Sequence, residues 1–222
     1  MSGGPVIAVD GPSGVGKTTI SRLLAERLGF KYVNTGSMYR ALALAAEEAG
    51  VDLKSDSALE KFCSTASVGY NADTGETAVN GKDYTPFIRT QRAGELASAV
   101  SVLVSVRRFL AGLQRKTGEG GCVVMEGRDI GTVVFPDADV KVFLDASHEV
   151  RTDRRHLELK GKFAPEDVSG EIAARDRRDA GRSNSPLKMA ADAVYVDTGL
   201  LSIEEVVRLI LNKVRERLKI GD

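Results

Sequence analysis

Short apolar runs alternate along the chain with longer segments in which apolar residues recur at every third or fourth position. The runs at 6–9, 122–125 and 140–144 are typical of buried strands, and helical spacing follows most of the short runs. Strands that alternate with helices predict a parallel sheet with right-handed crossovers and helices on both faces. We therefore predict an α/β fold of three layers around a central parallel sheet.

The remaining elements follow from the same periodicity and from residues that begin or end helices. Helices are predicted at about 17–28, 38–49, 57–62, 91–100, 102–116, 148–160, 165–182 and from 202 onward, with a break near 101. Short strands are predicted at 30–34 and 194–196. Asp56 or Ser57 is expected to cap the third helix, and Ser202 with Glu205 forms a predicted capping box.

A change of period marks an insert between the third and fourth helices. Short alternating runs at 68–71, 76–79 and 82–84 are separated by turn residues, among them Asn80-Gly81. Asn-Gly between alternating runs is the strongest short-range signal for a hairpin. The insert is therefore predicted to be a three-stranded antiparallel meander, too small to hold a core alone.

A glycine-rich turn joins the first strand to the first helix. Gly11, Gly16, Lys17 and Thr18 match G-x-x-x-x-G-K-[ST], with a strand before the motif and a helix after it. Glycines let backbone N–H groups converge on a phosphate, Lys17 adds a point charge, and the Thr18 hydroxyl can ligate Mg²⁺. The alternative is a glycine-rich turn without a ligand. The predicted ATP-binding residues of the turn are Gly11, Pro12, Ser13, Gly14, Val15, Gly16, Lys17, Thr18 and Thr19.

Further cationic residues lie where a parallel sheet would bring them toward its carboxyl edge. They include Arg40, Arg128 and one face of the helix 165–182, formed by Arg175, Arg178, Asp179 and Arg182. One interpretation of this face is a solvated helix with ion pairs, each contributing about 0.3–0.5 kcal/mol. Beside a phosphate loop we favour a second phosphate group held by guanidinium forks. Such an acceptor is already anionic, so no general base is required.

Composition and charge exclude several classes. The 222 residues include 31 Lys plus Arg and 31 Asp plus Glu, and this neutral balance argues against non-specific binding to nucleic acid or membranes. Cys63 and Cys122 have no metal-ligand or disulfide spacing. No basic and apolar leader is seen, and no apolar run approaches the ~20 residues that span a bilayer. The expected location is the cytoplasm.

Taken together, these motifs resemble the bacterial cytidylate kinases, of the nucleoside monophosphate kinase group. The resemblance is collinear over nearly the whole chain, and the segments that carry it are 10–17, 35–41, 127–138, 141–146, 175–182 and 186–193. The most specific of them is 127–138. The resemblance implies transfer of the γ-phosphoryl group of ATP to CMP or dCMP by a monomer, with Mg²⁺ accompanying ATP; the neutral net charge adds the expectation that the protein binds neither nucleic acid nor membranes.

The same resemblance implies a P-loop fold in one domain, 1–222. The core would comprise 1–35, 86–150 and 184–222, the monophosphate-binding lobe with its β insert about 36–85, and the lid with the arginine-rich helix 151–183.

Roles for individual residues are implied in the same way. The acceptor phosphate would be held by Arg40, Arg128 and Arg182, the ribose by Arg175 and Asp179, and the base by Ser98, Arg107 and Asp129, with Thr35 and Tyr39 in the same site. The lid over ATP would contain Arg151, Arg154 and Arg155. The transferring group would be stabilised by Lys17, Arg128, Arg178 and Arg182.

Chemistry supports the base assignment but leaves alternatives open. Cytosine presents its N4 donor beside the N3 and O2 acceptors, so a carboxylate next to an Arg or Ser donor complements it, whereas uracil places an acceptor there. The open alternatives are another acceptor such as UMP, AMP or shikimate, a nucleic-acid-linked ATPase, and a non-catalytic domain. Asp145 is either a Walker-B-like acid or a helix N-cap. Asn34 stands where some members of the family have Asp.

Overall fold

The structure, a computed structural model, describes residues 3–219 of the chain. In chain order the elements are β1 (Val6–Asp10), α1 (Lys17–Leu28), β2 (Lys31–Asn34), α2 (Thr35–Glu48), α3 (Asp56–Thr65), β3 (Val68–Tyr70), β4 (Thr77–Val79), β5 (Lys82–Asp83), α4 (Gln91–Val100), α5 (Val104–Gly118), β6 (Val123–Glu126), a π-helical turn (Ile130–Val134), β7 (Val140–Asp145), α6 (His148–Glu158), α7 (Pro165–Ala180), β8 (Val194–Asp197) and α8 (Ile203–Leu218).

The central sheet is parallel throughout, with its strands in the order β2-β6-β1-β7-β8. Successive strand residues point to opposite faces, and both faces are buried. Ala8, Val33 and Met125 pack on one side with the buried face of α2. Ile7 and Val9 pack on the other side with α1 and α8. The predicted three-layer α/β fold is confirmed.

The register brings chain-distant residues together at the carboxyl edge of the sheet. Glu126, the last residue of β6, pairs with Asn34 on one side and with Val9 on the other. The buried Asp10 carboxylate accepts hydrogen bonds from the N–H groups of Ile130 (2.9 Å) and Gly131 (2.8 Å). The end of β1 is thereby fastened to the π-helical turn that follows Asp129, and this turn is absent from the sequence prediction.

The predicted β insert is confirmed as a separate antiparallel sheet in the order β3-β4-β5. Asn80 and Gly81, at the β4–β5 hairpin, have φ angles of 51° and 79°, as an Asn-Gly turn requires. The buried side chain of Val79 joins the core beside α2. The Tyr84 hydroxyl donates to Glu48 of α2 (2.6 Å). The insert is therefore stabilised by packing on α2.

Several helix boundaries differ from the prediction because the caps belong to other residues. Ser55, not Asp56 or Ser57, caps α3, since its hydroxyl accepts from the N–H of Ala58. Ser147 caps α6, so the N-cap interpretation of Asp145 is wrong.

The predicted capping box of Ser202 and Glu205 is confirmed, with both of its hydrogen bonds present.

Within residues 3–219, no single helix is long and apolar enough to cross a membrane. Only taken together do α4 and α5 have the length and apolar composition of a membrane span, and the two helices are bent by 106° at the break near Ser101.

Candidate active site

The phosphate loop connects β1 to α1 in a conformation that needs its glycines. Gly14 and Gly16 have φ angles of 83° and 86°, in the left-handed region that favours glycine. A Cβ on Gly11 would stand 2.1 Å from the carbonyl oxygen of Leu144. The loop lines a cavity of about 800 Å³, counting space open to solvent, that we call the loop cavity. Its residues are Ser13, Gly14, Gly16, Lys17, Thr18, Thr19, Asn34, Gly36, Arg40, Glu126, Gly127, Arg128, Arg155, Glu158 and Arg175.

Lys17 begins α1 and is buried at the floor of this cavity. Its ammonium donates to the carbonyl of Pro12 (2.5 Å), and Thr18 donates to a carboxylate oxygen of Glu126 (2.8 Å). Burial, and then the charge of Arg128, lower the pKa of Lys17. An anion bound in the loop cavity would offset both effects, so the floor of the cavity is suited to a polyphosphate.

A second cavity, of about 470 Å³ counting space open to solvent, adjoins the first, and we call it the arginine cavity. It is lined by Thr35, Gly36, Tyr39, Arg40, Ala97, Ser98, Ser101, Arg107, Gly127, Arg128, Asp129, Arg175, Asp179 and Arg182. Arg40, Arg128 and Arg175 line both cavities. Every residue of the predicted CMP site lines the arginine cavity. The two cavities thus meet at a wall of guanidinium groups.

Asp179 is the shared counter-ion of the arginine cavity. It is 1% exposed, it accepts from Arg128 Nε at 3.0 Å and from Arg182, and Arg175 Nε lies 4.0 Å away. Burial would raise the pKa of Asp179, but the charges of Arg128, Arg182 and Arg175 outweigh burial and lower it. Burial and the charge of Arg128 lower the pKa of Arg175 to about 9, which leaves this group cationic at neutral pH.

The far end of the arginine cavity carries a buried ion pair. Arg107 donates to Asp129 Oδ2 (2.5 Å) and to the carbonyl of Ser101 (3.1 Å), and it lies over the Tyr39 ring at 5.7 Å. Asp129 Oδ1 has no hydrogen-bond partner among residues 3–219. The Ser98 hydroxyl is likewise buried without a partner in the described part of the chain. These groups are the unpaired donors and acceptors that a polar ring could satisfy.

The predicted lid residues are placed differently from one another. Arg155 lines the loop cavity and pairs with Glu158 (3.1 Å). Arg151 is buried and joins the carbonyl of Ser13 (3.3 Å) to Asp176 of α7 (2.6 Å), so it fastens the phosphate loop rather than lying open above it. Arg154 donates to the hydroxyl and carbonyl of Thr198 and lines neither cavity.

Several other residues that the sequence singles out do not line either cavity. Arg178 is exposed on α7 and lines neither cavity, because the inward face of the helix carries Arg175 and Asp179 instead. Gly11, Pro12 and Val15 shape the loop but do not line either cavity. Asp145 bonds to the N–H of Ala146 and lines neither cavity.

Glu126, rather than Asp145, is the strand-end acid that contacts the start of α1, and the sequence prediction does not include it. It is 3% exposed, ends β6 beside β1, and receives the Thr18 hydroxyl. The available signal was its place at the end of an apolar run, directly before Gly127-Arg128-Asp129. No group of at least three His, Cys, Asp or Glu residues within 3–219 could hold a metal ion by itself. Thr18 and Glu126 do supply the oxygen ligands that fit a hard cation shared with bound phosphates.

A phosphate loop on a parallel sheet, facing a second cavity lined with arginines, defines a small-molecule kinase of the P-loop class. The structure is similar in fold to an uncharacterized protein from Eubacterium ventriosum (TM-score 0.55, 12% identity, covering 96% of this chain and 98% of that one). It is also similar to shikimate kinase from Acinetobacter baumannii (TM-score 0.50, 16% identity, covering 97% and 95%).

The chain belongs to the cytidylate kinase family, because the family model for cytidylate kinase matches residues 7–216. Relatives named cytidylate kinase include those of Citrifermentans bemidjiense, 47% identical and covering 99% of this chain and 96% of the relative. The relative from Solibacter usitatus is 48% identical, with coverage of 97% and 94%.

Proposed function

We propose that the protein transfers the γ-phosphoryl group of ATP to CMP or dCMP, giving ADP and CDP or dCDP. The observation that carries this proposal is the junction of the two cavities. ATP would place its phosphates in the loop cavity, the nucleoside monophosphate would occupy the arginine cavity, and the transferred group would pass between them at Arg40, Arg128 and Arg175.

Catalysis then rests on position and charge. Lys17 and Arg128 both line the loop cavity and would face the ATP phosphates, and Arg40 with Arg182 would hold the acceptor phosphate. The acceptor oxygen is already anionic, so it needs no general base. Mg²⁺, held by the ATP phosphates with Thr18 and Glu126, would neutralise charge on the phosphates.

The far end of the arginine cavity supports the choice of cytosine. Asp129 Oδ1 would accept from the N4 amino group, while Arg107 and Ser98 would donate to the ring acceptors. Asp179 would accept from the ribose hydroxyls, with Arg175 beside it. The helices α6 and α7 would serve as a lid that excludes water, so that transfer outpaces hydrolysis.

An ADP-release assay across acceptors tests the proposal. CMP and dCMP should support rapid release, UMP and AMP slow release, and shikimate or no acceptor only background. The Lys17→Ala variant should be inactive with every acceptor, which controls for contaminating kinases. Equal rates with AMP and CMP would contradict the proposed acceptor, and stimulation by RNA or DNA would favour an ATPase instead.

A further inference from the structure

Tyr32 of β2 belongs to no predicted site, yet its hydroxyl reaches the active-site carboxylate. It donates to Glu126 Oε1, the same oxygen that receives the Thr18 hydroxyl at 2.8 Å. Its ring lies beneath the guanidinium of Arg22, 5.2 Å from ring centre to guanidinium carbon. Two hydroxyl donors from different elements, β2 and α1, therefore converge on one carboxylate oxygen.

The direction of these hydrogen bonds follows from Asn34. Its Oδ1 accepts from the N–H of Ser37 (3.2 Å) as the N-cap of α2, so its Nδ2 is the group that faces Tyr32 and donates to the phenol oxygen (3.2 Å). The single proton of Tyr32 is therefore given to Glu126.

The consequence concerns the other oxygen of the carboxylate. Glu126 Oε2 has no hydrogen-bond partner among residues 3–219, and Glu126 lines the loop cavity. Because Thr18 also gives its proton to Oε1, its own lone pairs stay available. The Oε2 atom of Glu126 and the hydroxyl oxygen of Thr18 are thus available as metal ligands beside the phosphate loop. A hydrogen bond to a ligating residue from a residue that does not itself touch the metal, such as the one from Tyr32, orients the ligand.

We propose that Tyr32 is a positioning residue, which orients Glu126 toward the divalent cation that accompanies ATP. This inference rests on the proposed function only in taking Mg·ATP as the phosphoryl donor. Asn34 fixes the polarity of the chain of hydrogen bonds, because an acidic side chain at position 34 would compete with Glu126 for the proton of Tyr32.

Calorimetry with a non-hydrolysable ATP analogue tests the inference without any turnover. The analogue is titrated with and without Mg²⁺, and the ratio of the two dissociation constants gives the enhancement due to the metal. In Tyr32→Phe the enhancement should fall roughly tenfold, as loss of an outer hydrogen bond to a metal ligand commonly does. Affinity without metal should stay unchanged. Glu126→Gln, which leaves Tyr32 intact, should show a similar loss.

Tyr70→Phe is the matched control, since the Tyr70 hydroxyl accepts from the N–H of Asn34 (3.0 Å) and donates to the carbonyl of Tyr32 (3.5 Å), both backbone groups, and does not contact Glu126. It should behave as the wild type. In the double variant Tyr32→Phe/Glu126→Gln the loss should be no greater than in Glu126→Gln alone, because Tyr32 acts through Glu126.

The inference is overturned if Tyr32→Phe keeps the full enhancement, or if the two losses add. It is also overturned if the variant loses metal-free affinity or its thermal transition, because Tyr32 would then be a packing residue, or if Mg²⁺ does not strengthen binding to the wild type. The measurement omits CMP. A wild-type protein that shows the enhancement but does not phosphorylate CMP would therefore refute the proposed acceptor and leave this inference standing.

Discussion

Replacing Asp129 with Asn should weaken the preference for CMP over UMP. In the structure, Oδ2 of Asp129 is held by Arg107 at 2.5 Å, and Oδ1 has no partner among residues 3–219. If the amide oxygen of Asn stays on Arg107, the amide NH₂ replaces Oδ1. A donor would then face the N4 donor of cytosine, whereas the O4 acceptor of uracil would gain a partner.

The size of the effect follows from the negative charge of Asp129 in the lost hydrogen bond to cytosine N4. A hydrogen bond to a charged group contributes about 1.5–3 kcal/mol, which corresponds to between about tenfold and about 150-fold in kcat/KM. Asn is preferable to Ala because its amide oxygen can still accept a hydrogen bond from Arg107, although both changes remove the negative charge of a buried ion pair and cost stability, up to about 3–5 kcal/mol when the partner is lost altogether. Arg107 is only 4% exposed and would be left unpaired.

The assay compares kcat/KM for CMP and UMP by coupled ADP release. The KM for ATP should stay near the wild-type value, and both rates are measured well below the melting temperature of the variant, which separates base recognition from general damage. Asp137→Asn, at an exposed position outside both cavities, is the matched control. An unchanged ratio of the two kcat/KM values would refute the role of Asp129 in binding the base.

Three further predictions concern other parts of the chain. Arg128→Ala should lower kcat by roughly a thousandfold while calorimetric ATP affinity changes little, with exposed Arg177→Ala as the control. Burial raises the pKa of Asp10 from 3.8 to about 6, so its proton favours folding below pH 4 and this contribution is lost as the pH rises through 6. The unfolding free energy of the wild type should thus fall by about 3 kcal/mol relative to Asp10→Asn across this window, measured by urea titration. Ser202→Ala should cost about 1 kcal/mol in the same titration without changing kcat.

Each of these has a contradicting result. Near-normal turnover in Arg128→Ala would mean that another group holds the transferring phosphoryl group. A difference between wild type and Asp10→Asn that does not vary from pH 4 to pH 7 would mean that burial does not raise the pKa of Asp10. A loss of turnover in Ser202→Ala would mean that α8 communicates with the site.

Local signals predicted the features whose hydrogen bonds are local. The phosphate loop, the Asn80-Gly81 hairpin and the capping box of Ser202 each depend on residues within a few positions of one another, so the sequence pattern contains the whole interaction. The parallel sheet followed from the alternation of strands and helices. The acceptor arginines come from distant segments, and the resemblance to a family was needed to group them.

The residues that were missed or misplaced interact over long sequence separations. Tyr32 and Thr18 lie 94 and 108 positions from Glu126, so no spacing in the sequence indicates that they share its carboxylate. Helical spacing placed Arg178 on the same face as Arg175, but spacing alone does not show which part of a face turns inward. Arg154 donates to the backbone carbonyl of Thr198, directly after β8, and this contact depends on tertiary packing alone.

A single ligand that joins adenosine to cytidine through a polyphosphate chain tests the central claim most directly. If the loop cavity and the arginine cavity meet at Arg40, Arg128 and Arg175, this ligand can fill both at once. Calorimetry should then give one site per chain and an affinity at least about a hundredfold above that of ATP or CMP alone. Protein saturated with this ligand should bind neither ATP nor CMP. An affinity no higher than that of ATP, with CMP still binding to the saturated protein, would contradict the account.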